Sequence, residues 1–145
     1  MLSLESLKPV ALLLLRLALG IIFIFHGYPK LFTHTHETMQ GFEHMGFPGY
    51  FAYIAGVFEF FGGLVIIFGI FTRIAGLLLF CEMAVALLRV HIPQGPITQV
   101  KNYEFPLILA TACFALATVG AGMISLDHVV FGGARRGPRK GREKD

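Results

Sequence analysis

Charge is scarce in this sequence. Of its 145 residues only 14% are Asp, Glu, Lys or Arg, whereas 55% are hydrophobic and the mean hydropathy is +0.70. A soluble domain of this size leaves most residues at or near its surface and needs a larger polar skin, so that class is excluded. Cysteine is nearly absent as well. Cys81 and Cys113 both fall inside apolar runs, and a disulfide framework or zinc site needs closer spacing or more ligands. Both read as small buried packing residues, with a redox pair on neighbouring helices as the sharper alternative. There is no P-loop, no G-x-G-x-x-G and no nucleophile elbow, which removes any foothold for soluble-cofactor enzymology. Ten-residue segments of alternating polarity are missing too, which disfavours a transmembrane β-barrel.

Long apolar runs are what the chain has instead. Crossing hydrocarbon takes about 20 mostly apolar helical residues, and four runs qualify, at 9–32, 50–71, 74–92 and 103–124. They predict an all-α integral membrane protein, a four-helix transmembrane bundle. One domain would occupy 1–131, with a basic, disordered cytoplasmic tail at 132–145. The first run reads as a retained span: from Pro9 through Phe25 it exceeds the roughly 7–15 residues of a signal-peptide core, and no A-x-A-like site follows.

The net charge of +3 invites a nucleic-acid reading, which its distribution rejects. Arg135, Arg136, Arg139, Lys140, Arg142 and Lys144, against Glu143 and Asp145, put +4 in residues 132–145 and leave about −1 for the remainder. A basic tail after a span marks the cytoplasmic side and can touch anionic lipid. Four spans then return Lys8 to that side, with Arg73 in the tight turn between the second and third. The loop around His34, His36, Glu37 and His44 has no Lys or Arg, and the loop at 93–101 only Lys101; both face outward. This makes the chain a multi-pass protein of the inner (cytoplasmic) membrane with both termini in the cytoplasm.

The chemistry must lie with ionisable groups inside the spans, each costing at least about 2.5 kcal/mol near the bilayer centre. Depth sorts them at about 1.5 Å per residue. Arg16 and Glu82 lie roughly 10–12 Å from the inner boundary and are expected to form a structural ion pair. Arg73 and Asp127 are expected to pair at the inner end. In the outer half, Glu59, His26, Lys30, Arg89, His91, Lys101 and Glu104 converge from four helices toward a polar pocket. Snorkelling alone would account for Lys30, Arg89 and Lys101, but not for Glu59, whose side chain is too short. His26 and His91 at similar depth could be axial haem ligands, although no other haem signal accompanies them. The H-x-H-E of His34, His36 and Glu37 could bind a metal, but a solvated polar loop is the simpler reading, and no metal site is assigned.

These motifs resemble the DoxX family of small bacterial membrane proteins. The first span carries R-L-A-L-G-I-I-F-I-F-H-G-Y-P-K, with Arg16, Gly20, Gly27 and Lys30. The second gives E-F-F-G-G-L-V-I-I-F-G-I-F-T-R, with Glu59, Gly62, Gly63, Gly69, Thr72 and Arg73. The fourth opens on K-N-Y-E at Lys101–Glu104, and G-A-G-M-I-S-L-D ends at Asp127. The resemblance implies a four-helix membrane fold and an association with redox complexes, since a relative, DoxD, is a subunit of a thiosulfate:quinone oxidoreductase. It brings no established catalytic set. Glu82 and the histidine-rich loop depart from the usual pattern.

The expectation is therefore a membrane subunit of a redox system, an oxidoreductase component whose outer pocket receives a quinone or a small thiol or sulfur compound. It would work beside a redox partner protein, and homo-oligomerisation could add helices. A small proton-coupled transporter is the alternative, with Glu59 and Glu82 as stations. Four helices are few for that, and no inverted repeat is visible. A non-catalytic scaffold acting through its basic tail is the third reading.

Overall fold

A computed structural model describes residues 3–132. The basic residues from 133 onward, and the expectation of disorder there, lie outside the described residues. Among those described there is no strand. The elements are α1 (Lys8–Tyr28), α2 (Thr35–His44), α3 (Phe51–Phe68), α4 (Thr72–Ala86), α5 (Glu104–Val119) and α6 (Leu126–Phe131). Three helical stretches are long and apolar enough to cross a membrane: Leu4–Thr33, Phe51–Phe68 and Thr72–Gln94. α5 is apolar but has 16 residues, about 24 Å against a hydrocarbon core of about 30 Å.

α1 opens with Pro9 in its first turn, where a missing N–H costs nothing. Both α1 and α4 finish in a single wide turn of π-helix, at Pro29–Thr33 and Leu87–His91. α3 stops at Gly69, whose φ of 68° lets Gly69 N and Ile70 N both return to the Val65 carbonyl. α5 ends at Val119, short of the expected 124. Gly120 and Gly122 take φ of 89° and 82°, and the apolar residues Ala121, Met123 and Ile124 continue the hydropathy without the helix. α2 is a second difference. The segment expected as an unconstrained loop is an amphipathic helix packed on α3.

The bundle is built from two close pairs, α1 with α3 and α4 with α5, joined along α3 and α4. Leu19, Phe23, Ile66, Leu79, Leu109, Cys113 and Leu116 form its core. Lipid is as apolar as leucine, so helices associate here through close packing. A Cβ on Gly27 would stand 2.5 Å from Phe60 N on α3, and one on Gly76 2.9 Å from the Cys113 carbonyl on α5. Glycine is what lets those backbones meet.

The expected inner ion pairs are not the ones formed. Arg16, 2% exposed, donates to four carbonyls: Nε to Ile66 O at 3.0 Å, Nη2 to Ile67 O at 2.9 Å, and Nη1 to Ala121 O at 2.8 Å and Ile124 O at 2.6 Å. The last carbonyls of a helix have no intrahelical partner and carry the negative end of its dipole. Arg16 satisfies two of α3's and two from the loop below α5. Glu82 lies instead in the cleft between α3 and α4.

Arg73 and Asp127 likewise cap helices and do not pair. Asp127 accepts from Phe71 N at 2.7 Å and Thr72 N at 3.0 Å, the start of α4. Arg73 donates to Thr118 O at 2.8 Å and Val119 O at 3.4 Å, the end of α5. Each charge meets the helix terminus of opposite sign. Among the described residues the ion pairs are Lys8–Glu5 and Lys30–Glu59.

Candidate functional site

At the end of the bundle where α1 and α4 finish, a cavity of about 190 Å³ opens between α1, α3, α4 and α5, walled by Phe23, His26, Lys30, Glu59, Met83, His91, Phe105, Pro106 and Leu109. It gathers four of the seven groups expected there: His26, Lys30, Glu59 and His91.

Glu59 projects from the middle of α3 on the face that also carries Gly56 and Gly63, all three buried. It is 3% exposed, and its carboxylate forms an ion pair with Lys30 Nζ. Lys30 therefore does not snorkel. Of the three cations within reach by depth, it is the one turned inward. The wide turn at Pro29–Thr33 contributes to this, because an inserted residue rotates the downstream side chains by about 100° around the helix axis. A buried carboxylate must find a cation, several donors or a proton, and here it has the cation.

His91 enters from the matching wide turn at the end of α4. Its Nδ1 lies 2.9 Å from the Ala86 carbonyl. A carbonyl only accepts, so Nδ1 carries a hydrogen and donates it to Ala86 O. His26 packs its ring on Phe105, centroids 5.4 Å apart, at the exposed rim. Two imidazoles thus flank a carboxylate–ammonium pair inside an apolar wall. Such a constellation can donate to, accept from and exchange protons with a small polar molecule. The volume falls below the roughly 300–1,000 Å³ of a drug-sized site, so it suits a ring or a short polar molecule.

Arg89, Lys101 and Glu104 are exposed and do not line the cavity. Arg89 lies within the wide turn Leu87–His91, where regular helical spacing is broken. Lys101 sits in the short helical turn Val100–Asn102 at the surface. His34, His36 and His44 belong to α2 or its cap, and no group of three or more His, Cys, Asp or Glu gathers among the described residues. Sequence reasoning missed Phe23, Met83, Phe105, Pro106 and Leu109 as wall residues. Apolar side chains carry no mark that separates a cavity wall from a core.

The DoxX family model matches residues 11–92, from α1 through the wide turn that ends α4, and so includes His26, Lys30, Glu59 and His91. The chain is similar to the protein named "Putative oxidoreductase CatD" from Bacillus subtilis (strain 168), 35% identical over 88% of this chain and 92% of that protein. It is also similar to the inner membrane proteins YqjF and YphA of Escherichia coli (strain K12). YqjF is 31% identical over 87% of this chain and 96% of its own, and YphA 34% over 83% and 91%. No solved structure matches. With a family match that runs across three apolar helices and all four polar groups of the cavity, the chain belongs to the DoxX family.

Proposed function

We propose that this protein is a membrane subunit of a bacterial redox system whose outer cavity receives the head of a quinone or a small thiol or sulfur compound. The observation that carries the reading is the cavity itself, where the Lys30–Glu59 pair lies between His26 and His91 in an apolar wall. Reducing or oxidising such a molecule moves protons with the electrons, and titratable groups within hydrogen-bond reach supply or take them. The printed name of the Bacillus subtilis relative supports oxidoreductase chemistry. Electrons would come from a partner protein or from the bound molecule. Mass spectrometry of protein solubilised in mild detergent tests this reading. A co-purifying quinone or low-mass thiol, or a companion oxidoreductase, is the expected result. Protein that carries neither, and binds no added quinone or thiol, sinks it.

In this reading both ends lie in the cytoplasm, with residues 132–145 as a cytoplasmic tail, and the cavity opens toward the outside. Single cysteines introduced into a chain lacking Cys81 and Cys113 check the orientation. An impermeant maleimide should label positions 36–44 and 95–99 in intact cells, and positions 135–142 only after permeabilisation. Labelling of 135–142 in intact cells would invert the topology and turn the cavity inward.

A further inference from the structure

A second cavity, of about 390 Å³, lies at the other end of the bundle, where α4 begins and α5 finishes. Phe71, Ile74, Val119 and Phe131 border it and are exposed. They surround the turn between the spans Phe51–Phe68 and Thr72–Gln94, the level at which hydrocarbon gives way to headgroups. Arg73 and Asp127 bring charge to its wall, with His128 beside them. Asp127 spends both carboxylate oxygens on Phe71 N and Thr72 N. Arg73 is less fully used. Of the five N–H donors of a guanidinium, one on Nη1 and one on Nη2 reach the end of α5, and the Nε–H meets no acceptor among the described residues. Gly120 keeps this edge of the guanidinium open: a Cβ there would stand 3.3 Å from Nε and 3.5 Å from Nη2.

We propose that this cavity binds the phosphate of an anionic phospholipid, at the opposite end of the molecule from the polar cavity and independently of it. The Nε and Nη2 edge of an arginine meets a phosphate side-on through two parallel N–H···O bonds. Gly120 leaves room for the oxygens along that edge. A free phosphate ion gains nothing from the four apolar residues at the rim, whereas the glycerol and first methylenes of a lipid lie against them. Charge selects among lipids. The Asp127 carboxylate is set against the start of α4. From Gly132, in the cavity wall, the chain runs on into residues 132–145 with their net +4, and a cluster of cations beside a span draws anionic lipid. Arg73 also holds the end of α5, so a phosphate seated on it ties that helix end to the lipid. Binding to the folded state alone stabilises it by mass action.

Native mass spectrometry of the full chain in dodecyl maltoside, paired with thermal unfolding, tests the site. Dioleoylphosphatidylglycerol should be retained at one per chain and should raise the unfolding midpoint. Dioleoylphosphatidylcholine and inorganic phosphate should do neither. Arg73→Gln should lower the affinity for phosphatidylglycerol about tenfold, the loss of a charged hydrogen bond. Because Arg73 also caps α5, Val119→Trp gives a second route: it narrows the apolar rim, leaves the guanidinium in place and should weaken the same lipid. Replacing the six Arg and Lys residues of 135–144 by Gln should remove only weaker, salt-sensitive binding and leave the one retained lipid. Equal retention of phosphatidylcholine would overturn the anionic headgroup. Inorganic phosphate that stabilises as well as phosphatidylglycerol would overturn the lipid as its source. Loss of the retained lipid in the glutamine-tail variant, with Arg73→Gln and Val119→Trp unaffected, would assign binding to the tail and overturn the cavity.

Discussion

Arg16→Met is expected to be the most damaging single substitution in this protein, and adding Glu82→Gln is expected to restore nothing. The guanidinium joins α1 to the end of α3 and to the loop below α5 through four hydrogen bonds. Methionine fills much of the volume and leaves the Ile67, Ala121 and Ile124 carbonyls without the donor they have here, while Ile66 O keeps Gly69 N at 3.1 Å. Each orphaned group costs about 1–3 kcal/mol, and the costs are not additive, so a loss on the order of 4–5 kcal/mol is expected, at the extreme for one substitution. Thermal unfolding in detergent should show a large drop in midpoint. Arg16→Lys should recover only part of it, because an ammonium lacks the planar fork that reaches two helix-end carbonyls and two loop carbonyls at once. The double-mutant cycle decides whether Glu82 takes part. Effects that add to within about 0.5 kcal/mol mean no coupling, whereas rescue by Glu82→Gln would restore the ion pair expected from depth alone.

The second large effect is at Glu59. Glu59→Gln keeps the shape and removes both the charge and the proton, leaving Lys30 unpaired at the cavity wall. Lys30 retains some exposure, 19% of its side chain against 4% for Glu59. The ammonium can therefore turn toward the interface. Glu59→Gln protein should accumulate and keep most of its thermal stability while losing about ten- to a hundredfold in ligand affinity, the worth of a charged hydrogen bond. Lys30→Met is the harsher change for folding, because the carboxylate it strands is buried and short. Adding Glu59→Gln to Lys30→Met should restore accumulation without restoring binding. That split separates a functional pair from a structural one. If binding returned together with stability, the pair would be structural and the cavity would not be the site. If Glu59→Gln left binding unchanged, Glu59 would have no role in it.

The solvent and the fold class were legible in the order of the amino acids alone. Transfer of side chains into hydrocarbon depends on local composition summed over about 20 residues, so the apolar runs read as membrane-spanning helices without knowledge of how they pack. The same local reading singled out Glu59, because no chain position near mid-span can place a carboxylate in water. The partners of the buried charges depended on how the helices pack. Depth along a helix gives one coordinate, and contact also needs the angle around the axis, which the wide turns at Pro29–Thr33 and Leu87–His91 shift away from regular helical spacing. Lys30 was thereby turned onto Glu59 while Arg89 stayed at the surface. Nor do helix ends appear as charges in a sequence. Their unsatisfied carbonyls and N–H groups compete for Arg16, Arg73 and Asp127 as strongly as any side chain. Once α3, α4 and α5 are folded, those termini lie nearer than the carboxylates and cations that matched by depth.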